Sequence, residues 1–500
     1  MPRTRAFLVP WLPLALALFA PAGVEAAPAL RQALPPPVVD PHSTEICMNS
    51  RLSYHGGWTS AGTEQMLADV VHAAACAPAA GDLPVVYAAT AEGVYIYDAS
   101  AHSLALHRAG DWRSDASAAF EVGIAAGSAI DAGAAMHLAQ LETVALWTGT
   151  ASQLASCPRA TATTYANNNW NPTEPIDIVI SFGIRSVPGR TATLVAVSSD
   201  GSLPNPATDG TVYLDTVLPQ LAYDATFTTE ELSAAEISQV LWGAYGCSNH
   251  TAVGKAGLVC SSAVANYYLS RRVYAVGPAQ VDRFHNRRPP GTDAATRDHR
   301  IELVRAGDTR PDLRAAVPGL PGASRYLVLC VGSTGAWQEL EVGFAAIGAV
   351  LQAATLGLGG SLHASLTSGE QAAIRAATGI PAGDIPLAVV ALGHPDDGAD
   401  VGIPVEEEGG PLLLVGDLAT PGTPVPIRYT LPRDGEVRLT IHDVQGRAVW
   451  HGPGGPQGQG AHSTAWDGRN DAGALVPSGV YFCVLRLDRA EKTARVVVIR

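Results

Sequence analysis

The chain has 500 residues, 47% of them hydrophobic and 16% charged, with 46 acidic against 32 basic side chains and a formal net charge of -14. This is the composition of a folded soluble protein, its length predicts about three domains, and its acidic balance argues against nucleic acid or an anionic membrane as partner. Seven cysteines, at 47, 76, 157, 247, 260, 330 and 483, include no Cys-x-x-Cys pair, so neither a disulfide framework nor a zinc site is expected, and one or two bridges stay open.

Residues 1–26 read as a secretory signal: Arg3 and Arg5, an apolar run over 6–20, then small residues with a cut after Ala26. The mature chain is therefore expected to be exported, to the periplasm, the cell surface or the outside. Residues 27–45, with Pro35, Pro36 and Pro37, lack amide donors and read as a linker. A first half over 46–190 follows, with an amphipathic helix at 64–75, alternating strands at 94–97 and 103–107, and a buried strand after Pro175. Residues 191–218 read as a second linker. The second half, 219–398, repeats that order: a helix over 232–245 with Ser233 as candidate N-cap, strands at 272–276 and 300–304, and a buried strand from Pro386. Short strands mixed with long helices predict an α+β layer fold.

Residues 340–360 anchor the second half. From Val342 to Leu358 only Gln352 and Thr355 are polar, so a helix here is apolar on every face and must be buried; the flanks carry no basic anchors for a membrane span. Gly343, Ala346, Gly348, Ala349 and Ala353 let another backbone approach, and Gly357, Gly359 and Gly360 are expected to stop the helix in positive-φ geometry. Two stretches of the chain recur. Phe120-Glu121-Val122-Gly123 matches Leu340-Glu341-Val342-Gly343, and the run from His102 to Arg113 matches the run from His299 to Arg310, each ending Ala-Gly-Asp-x-Arg. The offsets are 220 and 197 (340 minus 120, 299 minus 102). Repetition in one order with unequal loops predicts an internal duplication.

Residues 399–420 form an acidic, Gly-rich joint. Asp396, Asp397 and Asp400 could hold calcium, but the closing glutamate of a calcium loop is missing and a solvated linker is expected. Over 421–500 short alternating strands between Gly/Pro turns predict a small β-sandwich. No Gly-x-Ser-x-Gly elbow, His-Glu-x-x-His pair or Walker loop is present, so hydrolase, zinc and nucleotide readings lack support.

The C-terminal motifs, Pro426 to Pro432, Val437 to Arg447, Trp466-Asp467-Gly468 and Pro477 to Tyr481, resemble the Ig-like domain of the flagellar hook-cap protein and the sorting domains of type IX secretion cargo. That resemblance implies contact with secretion or cell-surface machinery through 421–500. The repeated region resembles the nitroreductase superfamily, in its azoline-oxidising dehydrogenase branch, through Gly93 to Asp98, the helix from Leu232 to Trp242, Ser261 to Tyr268, the Gly-Asp-x-Arg turns, Leu351 to Gly359 and Ala391 to Pro395.

Members of that superfamily are dimers with FMN at the subunit interface. The resemblance implies a pseudo-dimer made within one polypeptide and an exported FMN-dependent oxidoreductase acting on a small organic substrate. Carried over by residue, Arg51 and Ser53 fit the phosphate segment, with His55 where a second arginine is usual. Ser261, Ser262 and Ala263 fit the segment that covers the flavin ring, with Ser261 in place of proline, and Gly357, Leu358 and Gly359 fit the closing turn. Gln220 and Ala222 stand in the second half where Arg51 and Ser53 stand in the first, and Leu138 to Leu141 replace the turn in the first half. The same residues also admit plainer readings: Gly357 to Gly360 as a helix stop, Arg51 as a surface cation, Ser261 and Ser262 as a chain turn. The alternative function is a degenerate flavin-fold pseudoenzyme serving as a cell-surface binding or structural module.

Overall fold

This computed structural model describes residues 31–37, 42–51, 53–54, 57–58, 62–79, 83–146, 153–158, 160–185, 201–223, 226–252, 255–262, 266–287, 297–396, 412–415, 418–419, 425–431, 434–443, 447–458, 460–477, 479–487 and 490–498. The signal at 1–26, residues 399–411 of the acidic joint expected over 399–420, His55 and Ala263 lie outside the described residues, while Leu412–Val415 and Leu418–Ala419 of that joint form strands.

The first half runs β1 (Arg31–Ala33), α1 (Thr44–Ser50), α2 (Glu64–Ala75), β2 (Val85–Ala89), β3 (Gly93–Asp98), β4 (Ser103–Ala109), β5 (Phe120–Ala125), α3 (Ala129–Ala145), β6 (Leu154–Pro158), α4 (Ala160–Asn169) and β7 (Ile178–Ile184). Its antiparallel sheet has the order β1-β4-β3-β2-β5-β7-β6. Parts of the expected linker thus belong to elements: Arg31–Ala33 pairs with β4, and α1 begins on Ser43, whose hydroxyl accepts the Ile46 amide at 3.3 Å.

The second half runs α5 (Leu214–Val217), a 3-10 turn at Leu218–Gln220, α6 (Ala234–Tyr245), a hairpin of β8 (Cys247–Ala252) and β9 (Lys255–Leu258), then β10 (Val273–Val276), β11 (Gln280–Arg287), β12 (Arg297–Ala306), α7 (Arg310–Ala316), β13 (Arg325–Val331), α8 (Ala336–Thr355), β14 (Gly359–His363), α9 (Ser368–Thr378) and β15 (Ile385–Gly393). Ser233 caps α6 in a reciprocal box with Glu236. Its sheet order, β12-β11-β10-β13-β15-β14, is that of β4-β3-β2-β5-β7-β6.

Two finer details repeat with the topology. The ladder slips at Val94/Tyr95 where β3 meets β4, and at Val281/Asp282 where β11 meets β12. Strands β4 and β12 then each run into a left-handed glycine, Gly110 (φ 99) and Gly307 (φ 98), followed by an Asp–Arg pair. A bulge is retained by its register and a positive φ by glycine's missing side chain, so both outlast drift in the surrounding residues.

The offset of 197 therefore marks true equivalents, and the offset of 220 does not. Phe120–Ala125 is the strand β5, whereas Leu340 to Gly343 lie inside the helix α8. A short run of small and aliphatic residues suits a buried central strand as well as a buried helix, and only length separates them. The equivalent of β5 is β13, and the equivalent of α8 is α3.

Those two helices press together at the centre. A Cβ on Gly343 would lie 1.9 Å from the Ile130 carbonyl oxygen, and one on Gly133 would lie 2.2 Å from that of Leu340. The contact is reciprocal under an offset of 210 (343 minus 133, 340 minus 130), which is how a self-complementary dimer interface behaves. One apolar cluster, holding Ile130, Met136, Leu138, Val342, Phe344 and Ile347 among others, runs unbroken through both halves. Helix α8 ends as expected on Gly357 (φ 71), but Gly359 and Gly360 take no left-handed conformation and instead open β14. Among the described residues no helix is long and apolar enough to cross a membrane.

The C-terminal region is a two-layer β structure. One sheet holds Leu412–Val415, Val425–Leu431 and Gly460–Trp466; the other runs Leu418–Ala419, Ala490–Val498, Gly479–Leu487, Gly435–Asp443 and Ala448–His451, with Gly455–Gln457 beside Gly435–Asp443. Val425, Ile427, Tyr429 and Leu431 face one core with Val437, Leu439 and Ile441, the period of two expected of strands packed on one side. Trp466 and Tyr481 meet there edge to face at 5.6 Å.

Candidate functional site between the halves

Helix α1 ends at Arg51, where the backbone turns extended (φ -60, ψ 137) and the side chain crosses to the second half. There its Nε donates to the Val259 carbonyl at 3.1 Å, and Nη2 donates to those of Leu258 at 3.1 Å and Cys260 at 3.3 Å. Arg51 is 3% exposed, and burial lowers its pKa from the ordinary value. It is a strut between halves rather than a surface cation: three carbonyl dipoles solvate a charge taken out of water.

The next segment lies along β6, with Ser53 bridged to Ser156 and the Tyr54 amide donating to the Ser156 carbonyl at 2.9 Å. Ser261 is buried and donates to Gln140 of α3, whose amide in turn reaches Ser156 Oγ at 3.4 Å. Ser262, half-buried, accepts the Tyr267 amide at 3.2 Å and belongs to the shell of Glu341. Glu341 accepts from Tyr245 Oη at 2.5 Å and from the Leu269 amide at 3.2 Å. Burial pushes its carboxyl up, against the opposing effect of those donors.

Four of the expected residues, Arg51, Ser53, Ser261 and Ser262, thus meet at one place between the halves. Gly357, Leu358 and Gly359 do not join them. They follow Glu341 by 16 residues (357 minus 341) along α8, roughly 24 Å at the rise of a helix. Gly357 donates to the Ala354 carbonyl at 3.0 Å and Leu358 to that of Ala353 at 2.9 Å, the bond pair that closes a helix on a left-handed glycine. The turn has a complete structural explanation. In the first half, Leu138 to Leu141 are mid-helix in α3 and are not its counterpart. Gln220 ends the 3-10 turn and donates to the Thr216 carbonyl at 2.6 Å, within its own half.

Gln140, Ser156, Glu341 and His137 escaped the sequence reading. Their signal was present: polar side chains inside or at the edge of runs otherwise apolar must have partners when buried. His137 lies in α3 against Phe344, ring centroids 5.8 Å apart, and burial, helped by the Arg51 charge, brings its pKa down to about 3.

A flavin phosphate of charge about -2 needs several convergent donors. Arg51 directs two of its three nitrogens at carbonyl oxygens, which would repel a phosphate, and it sits in a buried position. Ser261 is engaged by Gln140. The described residues therefore do not fit an FMN phosphate at Arg51. Among the described residues no His, Cys, Asp or Glu group is arranged for a metal, and none of the seven cysteines is joined in a disulfide.

Comparison with known proteins gives two likenesses. No curated protein sequence matches the chain. A solved structure assigned as a nitroreductase, from Anabaena variabilis, is 12% identical and aligns over 69% of this chain and 94% of its own, with a TM-score of 0.47. The NADPH:FMN oxidoreductase of Vibrio harveyi is 17% identical over 37% of this chain and 68% of its own, with a TM-score of 0.24. FlgD of Pseudomonas aeruginosa is 22% identical over 18% of this chain and 72% of its own, with a TM-score of 0.14. The FlgD Ig-like domain family matches residues 416–489. The chain thus joins an Ig-like C-terminal domain of FlgD type to an N-terminal region whose structural neighbours are nitroreductases.

Proposed function

We propose that the paired halves are an exported, surface-attached binding module built on a flavin-reductase fold, in which the ancestral phosphate arm has become a structural strut. One observation carries this reading: the Arg51 guanidinium is turned inward onto the carbonyls of Leu258, Val259 and Cys260. The secretory signal expected at 1–26 and the Ig-like match at 416–489 support export, with the C-terminal domain as the attachment point to secretion or cell-surface machinery.

The test is a fluorescence titration of FMN with the purified mature chain. Unchanged flavin emission and a colourless protein are expected. Saturable one-to-one quenching that disappears in Arg51→Met would overturn the reading and restore an FMN-dependent oxidoreductase of a small organic substrate.

That second reading has one observation in its favour. Arg51 Nη1, the Asn49 amide and both His137 nitrogens are buried with no hydrogen-bond partner among the described residues. Buried polar atoms normally find partners, so a polar group seated between the halves would satisfy them.

A further inference from the structure

In the second half a cleft of about 270 Å³ opens between α6 and the face of the β12-β11-β10-β13 sheet. Its roof is Ile237 and Leu241 of α6, its floor is Ala275 and Gly277, and Ser202, Ala234 and Ala279 stand exposed at its mouth. Two charged side chains line it. Asp282, 8% exposed, accepts one hydrogen bond, from Gln280 Nε2 at 2.7 Å. The Arg325 guanidinium lies over Gly277, where a Cβ would sit 2.0 Å from Nη1, and it donates no side-chain hydrogen bond among the described residues.

The two charges do not meet. Asp282 is on β11 and Arg325 on β13, with β10 between them and Arg325 two residues out of register, so their backbones are about 12 Å apart. Glu231 and Asp308, the other carboxylates that act on Arg325, are both bonded to Arg310 instead. Burial raises the Asp282 carboxyl and lowers the Arg325 guanidinium. Each charge is thus held in poor solvent without a counter-ion bonded to it, over a floor of small residues.

The first half shows that the fold does not require this. Ala88 pairs with Tyr95 and Val122 just as Ala275 pairs with Asp282 and Leu327. Tyr95 therefore stands for Asp282 and, counting back two residues along β5 and β13, Phe120 stands for Arg325. Both aromatics pack into the central core of the first half, and Phe120 stacks on Phe182 at 5.3 Å. Where one half is filled with rings, the other keeps a cleft with a carboxylate at one side and a guanidinium at the other.

We infer that this cleft is a binding site for a small amphipathic zwitterion, a free α-amino acid with an aliphatic or aromatic side chain. The ligand's ammonium would face Asp282, its carboxylate would face Arg325, and its side chain would lie on Ile237 and Leu241. A single-charge ligand would leave one buried protein charge uncompensated, which sets the specificity. The site is separate from the contact at Arg51 and stands whether or not FMN binds there.

The experiment titrates the full mature chain with L-leucine, isoamylamine and 4-methylpentanoate, by calorimetry and thermal shift. Leucine is expected to bind and raise the melting temperature, with the amine and the acid each weaker by about tenfold or more. Asp282→Asn keeps side-chain size and Arg325→Gln replaces the guanidinium by a shorter neutral amide; their unliganded melting curves report folding, while leucine affinity is expected to fall about tenfold in each. The double change Asp282→Tyr with Arg325→Phe installs the first half's residues and is expected to abolish binding. No saturable binding of leucine, or of phenylalanine as the aromatic probe, up to roughly 10 mM would overturn the proposal, as would unchanged affinity in folded Asp282→Asn and Arg325→Gln. FMN fluorescence in the same samples reads the other site separately.

Discussion

The two halves share a backbone plan and differ in what fills it. Sheet order, ladder slip, left-handed glycine and the Asp–Arg turn are common to both, and their long helices touch through equivalent glycines. Yet Tyr95 and Phe120 stand in the first half where Asp282 and Arg325 stand in the second, and His137 of α3 occupies the place that Ile347 holds in α8 under the offset of 210 (347 minus 137). Features fixed by main-chain geometry resist substitution because no other side chain relieves the constraint. Core and cleft positions carry no such constraint: rings fill the first half where the second keeps two charges beside a cleft.

The reciprocal helix contact offers the most severe way to break the symmetry. Gly343→Ala and Gly133→Ala place a Cβ against a backbone carbonyl that cannot rotate away, so each should cost about 3 kcal/mol or more in denaturant unfolding. Similar losses in the two variants would fit one shared interface. A loss at only one would show that the halves are not related by the exchange of Gly133 with Gly343. Next in size is Arg51→Met, which leaves the carbonyls of Leu258, Val259 and Cys260 without their donors and should cost about 3 kcal/mol. Gln220→Ala removes a local bond to Thr216 and should cost under about 1 kcal/mol. Equal costs would mean that Arg51 does not brace one half against the other.

Much of this architecture was legible in the residues. The Ala-Gly-Asp-x-Arg turns, the apolar run after Leu340, the Ser233 cap and the alternation of Val437, Leu439 and Ile441 each express a local rule that the fold obeys. The match of Phe120 with Leu340 misled because strand and helix interiors draw on the same small and aliphatic residues. The site was less legible. Arg51 and Ser261 point to an interface, but no local pattern reveals that a guanidinium folds back on carbonyls more than 200 positions away. Gln140 and Glu341 acquire meaning only once α3 and α8 are side by side.

His137 gives a pH-dependent separation of the halves. Burial first, and then the Arg51 charge, hold its pKa at about 3 against the ordinary 6.5. The folded protein keeps the ring neutral while the unfolded chain takes up a proton. The associated stability is therefore complete above pH 6.5 and is lost as pH falls toward 3. His137→Ile, which installs the residue of the other half, should recover on the order of 2–3 kcal/mol at about pH 4.5 relative to the parent, with little change at neutral pH. Urea unfolding at the two pH values reads it. An equal shift at both would show that packing, and not protonation, sets the difference.

The mildest contrast lies in the paired turns. Asp111 and Asp308 each bond the arginine two residues on, and those bonds first of all lower both carboxyl pKa values. Lowered values mean stability that is present above the ordinary carboxylate pKa and lost as pH falls below it. Both aspartates are more than a third exposed, at 39% and 38%, so solvent screens the gain and each Asn substitution should cost well under 1 kcal/mol near neutral pH. The halves should still differ in order. Arg310 also bonds Glu231 at 2.7 Å, whereas among the described residues Arg113 hydrogen-bonds only the carbonyls of Ala118 and Ala119 besides Asp111. Asp308→Asn leaves its arginine with a carboxylate partner and Asp111→Asn does not, so Asp111→Asn should be the more destabilising of the two by a few tenths of a kcal/mol. The reverse order would place the organising charge of the second turn on Asp308 rather than on Glu231.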